Sequence, residues 1–259
     1  MLLSLFYHSI VTRARKKIKV PVDNSGNLCY NRQKRKGGIA MRFLDRYDTL
    51  VWDFNGTLLD DVDLGIECAN EMLARRGLPL IPDRKRYFEL FGFPIVDYYR
   101  RLGFDFSREP YEVLAHEWIA AYRSRERNVP LRAGVEEALA AVKEAGVPQV
   151  VLSATESSML HEQLRDLGVI GYFTEVIGRG DIYAPDKTGL ARRWAETRKP
   201  GRCLMIGDTG HDFACADAAG FDCLLVRGGH SSDDDLDRIG CRVLPDLFAL
   251  REVLFGAET

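Results

Sequence analysis

The feature that most constrains the fold of this chain is a series of short apolar runs that do not alternate with polar residues. Thr49–Phe54, Gln149–Ser153, Thr174–Ile177, Cys203–Ile206 and Cys223–Val226 are each four to six residues long. A strand with one face in water alternates polar and apolar side chains, whereas a run without alternation is covered on both faces. Helical pattern separates these runs, as in the amphipathic segment Val135–Ala145 with its stop signal Gly146. The prediction is an α/β fold with a Rossmann-like parallel sheet flanked by helices.

One interval breaks the alternation. Between Asp60 and Pro130 no strand is evident, and helical periodicity with aromatics takes over. Leu64–Arg76 reads as a helix stopped by Gly77, Ile95–Leu102 as a second and Pro110–Arg127 as a third. The interval is too long for a loop. The expected organisation is a core formed by residues 41–60 and 130–259, with a small all-helical domain, residues 61–129, inserted after the first strand. Residues 1–40 precede it as a basic extension.

Charge separates that extension from the rest. Residues 1–40 hold nine Lys or Arg and one acid, a net of +8, while the other 219 residues hold 27 basic and 37 acidic groups, a net of −10. A body so acidic repels a phosphate backbone, so nucleic acid is not the expected partner. The extension places its apolar stretch, Met1 to Val11, before its basic residues, the reverse of a secretory signal. It reads as a disordered extension or a start codon placed too early, with a presequence or a weak surface anchor as alternatives. No apolar run approaches the roughly 20 residues that span a bilayer, and no stable membrane insertion is expected. The six cysteines show no CxxC pair or zinc-like spacing, which fits reduced thiols and a cytoplasmic location.

In an open parallel sheet, ligands bind beyond the carboxyl ends of the strands. Asp53-Phe-Asn-Gly-Thr57 closes the first run, Ser153 the second, and Gly207-Asp-Thr-Gly-His-Asp212 the fourth, while Lys187 follows the third. Singly, each has a plain explanation: a helix cap, a solvated lysine, loop carboxylates. Together, in this order, the clusters converge on one rim. In that order they resemble the four motifs of the haloacid dehalogenase superfamily, over residues 45–250. The helical insertion resembles the family's C1 cap, and Phe91-Gly-Phe-Pro94 and Leu102-Gly-Phe-Asp-Phe106 resemble its phosphoglycolate phosphatase-like branch.

The resemblance implies a phosphatase that forms a phosphoryl-aspartate on Asp53 with Mg²⁺ as cofactor and a small phosphorylated metabolite as substrate. It implies Asp53, Asp208 and the backbone carbonyl of Asn55 as metal ligands, with Asp212 beside them orienting a water or Lys187. Lys187 and Ser153 would hold the transferring oxygens, together with Gly56, Thr57 and Ala154 around the phosphate. The chain departs from that pattern at Asn55, where matching phosphatases carry the aspartate that exchanges a proton with the leaving group. A carboxamide exchanges none near neutral pH, and general acid–base catalysis is worth roughly 10²–10⁴-fold. Asp60, Asp61, His211 and His230 stand as candidate replacements, each with an ordinary reading as a loop, capping or packing residue. Three functions therefore remain open: a phosphomonoesterase, a phosphotransferase or slow enzyme with a persistent phosphoenzyme, and a regulatory or binding protein. Arg100 and Arg101 are candidates to meet a substrate carboxylate, although a solvated helix face explains them more simply.

Overall fold

The computed structural model describes residues 42–180 and 187–256. Six parallel strands form one sheet in the order β3-β2-β1-β4-β5-β6. They are β1 (Thr49–Trp52), β2 (Gln149–Glu156), β3 (Glu175–Arg179), β4 (Cys203–Gly207), β5 (Asp222–Val226) and β6 (Arg242–Leu244). All four residues of β1 and all five of β4 are buried. These two strands pair with each other at the centre of the sheet, which is why neither shows a polar face. The switch in strand order falls between them: β1 has β2 on one side and β4 on the other.

Helices flank the sheet. In chain order they are α1 (Val62–Arg75), α2 (Arg84–Leu90), α3 (Ile95–Arg101), α4 (Tyr111–Arg123), α5 (Val135–Glu144), α6 (Ser157–Asp166), α7 (Lys187–Arg198), α8 (Gly210–Ala219), α9 (Asp233–Leu236) and α10 (Leu247–Phe255). Val51, Val150, Leu152, Cys203 and Met205 from the strands pack with Ala191 and Trp194 of α7 and Cys215 and Ala216 of α8. Gln149, buried in β2, is fully engaged: it accepts from Trp52 Nε1 at 3.0 Å and donates to Leu139 O at 2.9 Å. That pairing lets a polar side chain sit in the core without a desolvation penalty.

Helices α1 to α4 occupy the interval between β1 and β2 and build an apolar cluster of their own from Ile66, Met72, Leu73, Tyr87, Tyr98, Tyr99, Phe104 and Leu114. The two connections to the sheet run side by side. Leu59 and Leu131 form an antiparallel bridge, Asp60 N–H donates to Pro130 O at 3.0 Å, and Arg132 N–H donates to Leu58 O at 2.9 Å.

Several boundaries differ from the sequence reading. β2 continues past Ser153 to Glu156, and Glu156, not Ser153, caps α6 by accepting from Ser158 and Met159 N–H. β3 begins at Glu175 and runs to Arg179, and α4 stops at Arg123 with a separate 3₁₀ turn over Glu126–Asn128. β6 and α2 were not anticipated: β6 has three residues and starts on an arginine, and α2 is charge-rich and only seven residues long. The basic extension, residues 1–40, lies outside the described residues.

Candidate active site

The rim is assembled by register. Trp52 pairs with Ile206 across β1 and β4, and Asp53 N–H donates to Ile206 O at 2.9 Å. Asp53 therefore leaves the sheet level with Gly207, and Asp208 follows one residue further along the adjacent strand. Asp208 opens the turn into α8, whose cap is reciprocal: Thr209 accepts from Asp212 N–H, and Asp212 Oδ2 accepts from the N–H groups of Thr209, at 3.0 Å, and Asp208, at 3.2 Å. The cap fixes Asp212 beneath the turn. An added Cβ on Gly207 would stand 2.4 Å from Asp212 Cγ, so only glycine admits this fold of the chain.

Lys187 joins the two acids. Its Nζ donates to Asp53 Oδ1, and to Asp212 Oδ1 at 2.5 Å, with the lysine side chain 4% exposed. Asp53, Asp208 and Asp212 are all buried, and each offers a carboxylate oxygen within 4.8 Å of the others. Burial pushes the Asp53 carboxyl well above its ordinary value; Lys187 opposes this, and Asp212 and Asp208 add to it. Burial also disfavours the charge on Lys187, but Asp212 and Asp53 outweigh it and raise the ammonium above its usual range. Three carboxylates facing one ammonium leave a surplus of negative charge on hard oxygen donors. That donor set fits Mg²⁺, which takes oxygen ligands and keeps several waters.

Asp208 is held in place from both sides. Thr57 Oγ1 donates to its Oδ1 at 2.8 Å and His230 N–H to its Oδ2 at 2.6 Å. Thr57, expected near the phosphate, is thus fully buried and directed at Asp208. Gly56 has φ +74°, and a Cβ there would lie 2.4 Å from Asp208 Oδ2 and 2.5 Å from His230 Cδ2. Its N–H donates to Asp61 Oδ1 at 2.8 Å and to Leu59 O at 3.0 Å, instead of pointing into an open phosphate cradle. Ser153 is buried; its Oγ accepts from Thr155 N–H at 3.0 Å and stands 3.5 Å from Asn55 Oδ1. Ala154 follows it in β2, half-buried.

Asn55 is gripped at both ends. Its Nδ2 donates to Asp61 Oδ2 at 2.8 Å and lies 3.2 Å from the Tyr122 hydroxyl, and its Oδ1 accepts from Thr155 Oγ1 at 2.8 Å. Among the candidate replacements for an acid at 55, Asp60 is exposed, whereas Asp61 is buried and accepts from Asn55, Gly56 and Tyr122. His230, in the loop after β5, has both ring nitrogens engaged. Its Nε2 is 3.1 Å from Asp61 Oδ1, and its Nδ1 is 2.7 Å from the Tyr87 hydroxyl. Burial disfavours its charge, but Asp61, Asp208 and Asp53 outweigh it and push its pKa up to about 9. His211 stacks on Phe93 at 4.3 Å between ring centroids. Arg100 pairs with Asp97 and lies over the Phe106 ring, and Arg101 Nε donates to Leu90 O at 2.6 Å.

Thr155, Tyr87 and Tyr122 were not anticipated. Thr155 lies two residues past an expected strand end, and the tyrosines sit in helices whose aromatics read as core; neither position carries a signal in the sequence.

A Rossmann-like sheet with buried aspartates after its two central strands and a lysine bridging them places the chain in one class. The family model for haloacid dehalogenase-like hydrolases matches residues 50–226, and the chain belongs to that family. It resembles a 5'-nucleotidase of Pseudomonas aeruginosa, 29% identical over 219 residues, covering 81% of this chain and 96% of the relative. It resembles a phosphoglycolate phosphatase of Nitrosococcus oceani, 27% identical, covering 83% of this chain and 99% of the relative. A third relative is the tyrosine-protein kinase PtkA of Mycobacterium tuberculosis, 26% identical over 79% of this chain and 70% of the relative. The solved PtkA structure shares the fold with a TM-score of 0.69 at 24% identity, over 81% of this chain and 99% of that one. The chain thus stands among the phosphatases of its family, as the sequence motifs led one to expect.

Proposed function

We propose that this chain is a Mg²⁺-dependent phosphomonoesterase of small phosphorylated metabolites, acting through a phosphoryl-aspartate on Asp53. The observation that carries the reading is the Asp53 carboxylate, held at the sheet rim by Lys187 beside Asp208 and Asp212. Asp53, Asp208 and the Asn55 carbonyl would hold the metal, with Asp212 orienting Lys187. Bound there, Mg²⁺ would neutralise phosphate oxygens that a bare carboxylate repels.

The chain's own groups do the rest. Asp53 attacks phosphorus, the bond from phosphorus to the ester oxygen breaks, and the leaving oxygen takes its proton from water, since the Asn55 amide supplies none. Water then attacks the phosphoryl-aspartate, releasing phosphate and restoring Asp53. Lys187 stays charged beside the transferring oxygens, and Ser153 offers a hydroxyl from the neighbouring strand. The helices of residues 61–129 would act as a lid over the rim and exclude water. Thiols outside any disulfide suit a cytoplasmic setting: among the described residues, Cys68, Cys203, Cys215, Cys223 and Cys241 form none. No helix among the described residues is long and apolar enough to cross a membrane.

A second reading, phosphotransfer from a longer-lived phosphoenzyme to an acceptor other than water, draws on Asn55. Its amide is directed at Asp61 and exchanges no proton with a leaving group or a water. The relative named a tyrosine-protein kinase supports keeping this reading. A purely regulatory or binding role accounts poorly for a nucleophile, a lysine and two further acids in contact. Phosphate release over a panel of small phosphomonoesters, with and without Mg²⁺ and beside Asp53→Ala, separates these. Multiple turnovers that need both support the phosphatase; a single burst of the leaving alcohol without phosphate release supports phosphotransfer; release of neither leaves a binding role.

A further inference from the structure

Asp61 stands at the N-cap of α1, where an aspartate ordinarily accepts from the N–H groups of the helix it precedes. Its side chain makes no such bond. It turns the other way and is 3% exposed. Oδ2 accepts from Asn55 Nδ2 at 2.8 Å and from the Tyr122 hydroxyl at 2.9 Å. Oδ1 accepts from Gly56 N–H at 2.8 Å and faces His230 Nε2 at 3.1 Å. Gly56 and Asn55 belong to the loop behind the nucleophile, Tyr122 to α4 of the insertion, and His230 to the loop after β5. One carboxylate therefore ties the helical insertion to the reacting rim.

We infer that Asn55 and Asp61 form an exchanged amide–carboxylate pair, in which Asp61 is the positioning residue for Asn55 and for the loop carrying Asp53. The asparagine is then not a simple loss of an acid. The charge that could stand at 55 stands six positions on, with the amide facing it. Carboxylates at both positions would set two acceptors 2.8 Å apart in a buried site, with no donor between them. The hydrogen bonds of the Asn55–Asp61–Tyr122 triangle stay matched in reverse, while the carboxylate that faces His230 is replaced by an amide. With the amide at 61 and the carboxylate at 55, the amide donates back across the same gap and the Tyr122 hydroxyl donates to position 55. Gly56 N–H still meets an acceptor at 61, the amide carbonyl.

The test compares Asn55→Asp, Asp61→Asn and the exchange variant carrying both, using melting in chelator and kinetics on an aryl phosphate with Mg²⁺. The kinetic arm rests on the phosphatase reading; the melting arm does not. Each single variant is expected to melt roughly 5 °C or more below the wild type and to lose about tenfold in kcat with little change in KM. The exchange variant should recover kcat and most of the melting loss, the remainder being the His230 charge pair that an amide at 61 gives up. A single variant too unstable to fold counts as that loss, provided the exchange variant folds. The inference is overturned if Asn55→Asp alone melts as the wild type or turns over faster, or if the exchange variant is no better than the worse single. Recovery of melting without recovery of kcat would leave Asp61 a structural residue and also refute positioning. If the wild type itself releases no phosphate, the phosphatase reading falls and the melting cycle alone decides the pair.

Discussion

At the scale of single residues, the site is a balance of buried charge. Lys187 supplies the ammonium that Asp53 and Asp212 share. Lys187→Met is therefore expected to lower kcat by about 10²–10³-fold, as loss of one preorganised charge commonly does. The same variant should melt below the wild type in chelator, because three buried carboxylates then face each other without their counter-charge. Steady-state kinetics and a melting scan check the two halves separately.

His230 gives a prediction with a definite sign. Its neighbours are Asp61 on Nε2, the Tyr87 hydroxyl on Nδ1, and the Asp208 and Asp53 charges nearby. Its pKa is raised from 6.5 to about 9. A raised pKa means that the folded chain binds the proton more tightly than the unfolded one. The stabilisation is thus complete below about pH 6.5 and is lost as pH climbs through about 9. Melting temperature in chelator should fall across that window, with a loss of roughly 3 kcal/mol in stability. His230→Gln should flatten the profile there, and an unchanged slope in that variant would contradict the assignment.

At the scale of elements, the rim depends on how α8 starts. Thr209 and Asp212 close a capping box that fixes Asp212 under Lys187 and keeps Asp208 at the end of β4. Thr209→Ala should cost about 1 kcal/mol of stability and reduce turnover as well, since Asp212 loses a 2.8 Å donor. Thr209→Ser should restore most of both. Melting and kcat on the two variants check this together.

Elements also show where the sequence was legible. β1, β2, β4 and β5 were readable because central parallel strands have no polar face to interrupt the apolar run. Asp53, Asp208 and Asp212 stood out because they follow β1 and β4, and Lys187 only through its place in the order of the four motifs. β6 was not, since a three-residue edge strand beginning at Arg242 carries too few buried positions to make a pattern. The surroundings of Asn55 were not readable either. Asp61 looks like any N-cap, and Tyr122 and Tyr87 look like core aromatics, until folding brings them to positions 6, 67 and 143 residues from their partners Asn55 and His230. Local pattern encodes elements; contacts between remote positions leave no local trace.

For the molecule as a whole, the insertion and the sheet each carry an apolar cluster among the described residues, and polar contacts at the rim link the two. Leu58–Asp60 and Pro130–Arg132 form a paired connection, and the Asp61 and His230 contacts join the insertion to the sheet above it. A divalent ion that binds only the folded rim stabilises the whole by mass action. Mg²⁺ at about a hundredfold above its Kd should add about 2.7 kcal/mol, or roughly 5 °C or more in melting temperature. Asp208→Ala should abolish that increment, and a shift that survives the substitution would place the ion elsewhere.

The proposed chemistry stands or falls with Asp53 as the nucleophile. Its most direct test is acid quenching of the Mg²⁺-loaded protein within its first turnover of an aryl phosphate, followed by peptide mass spectrometry. The expected result is one phosphoryl group on the peptide carrying Asp53, labile to hydroxylamine and absent from Asp53→Asn. Phosphate release at the wild-type rate from Asp53→Asn, or a phosphoryl group on any other residue, would contradict it.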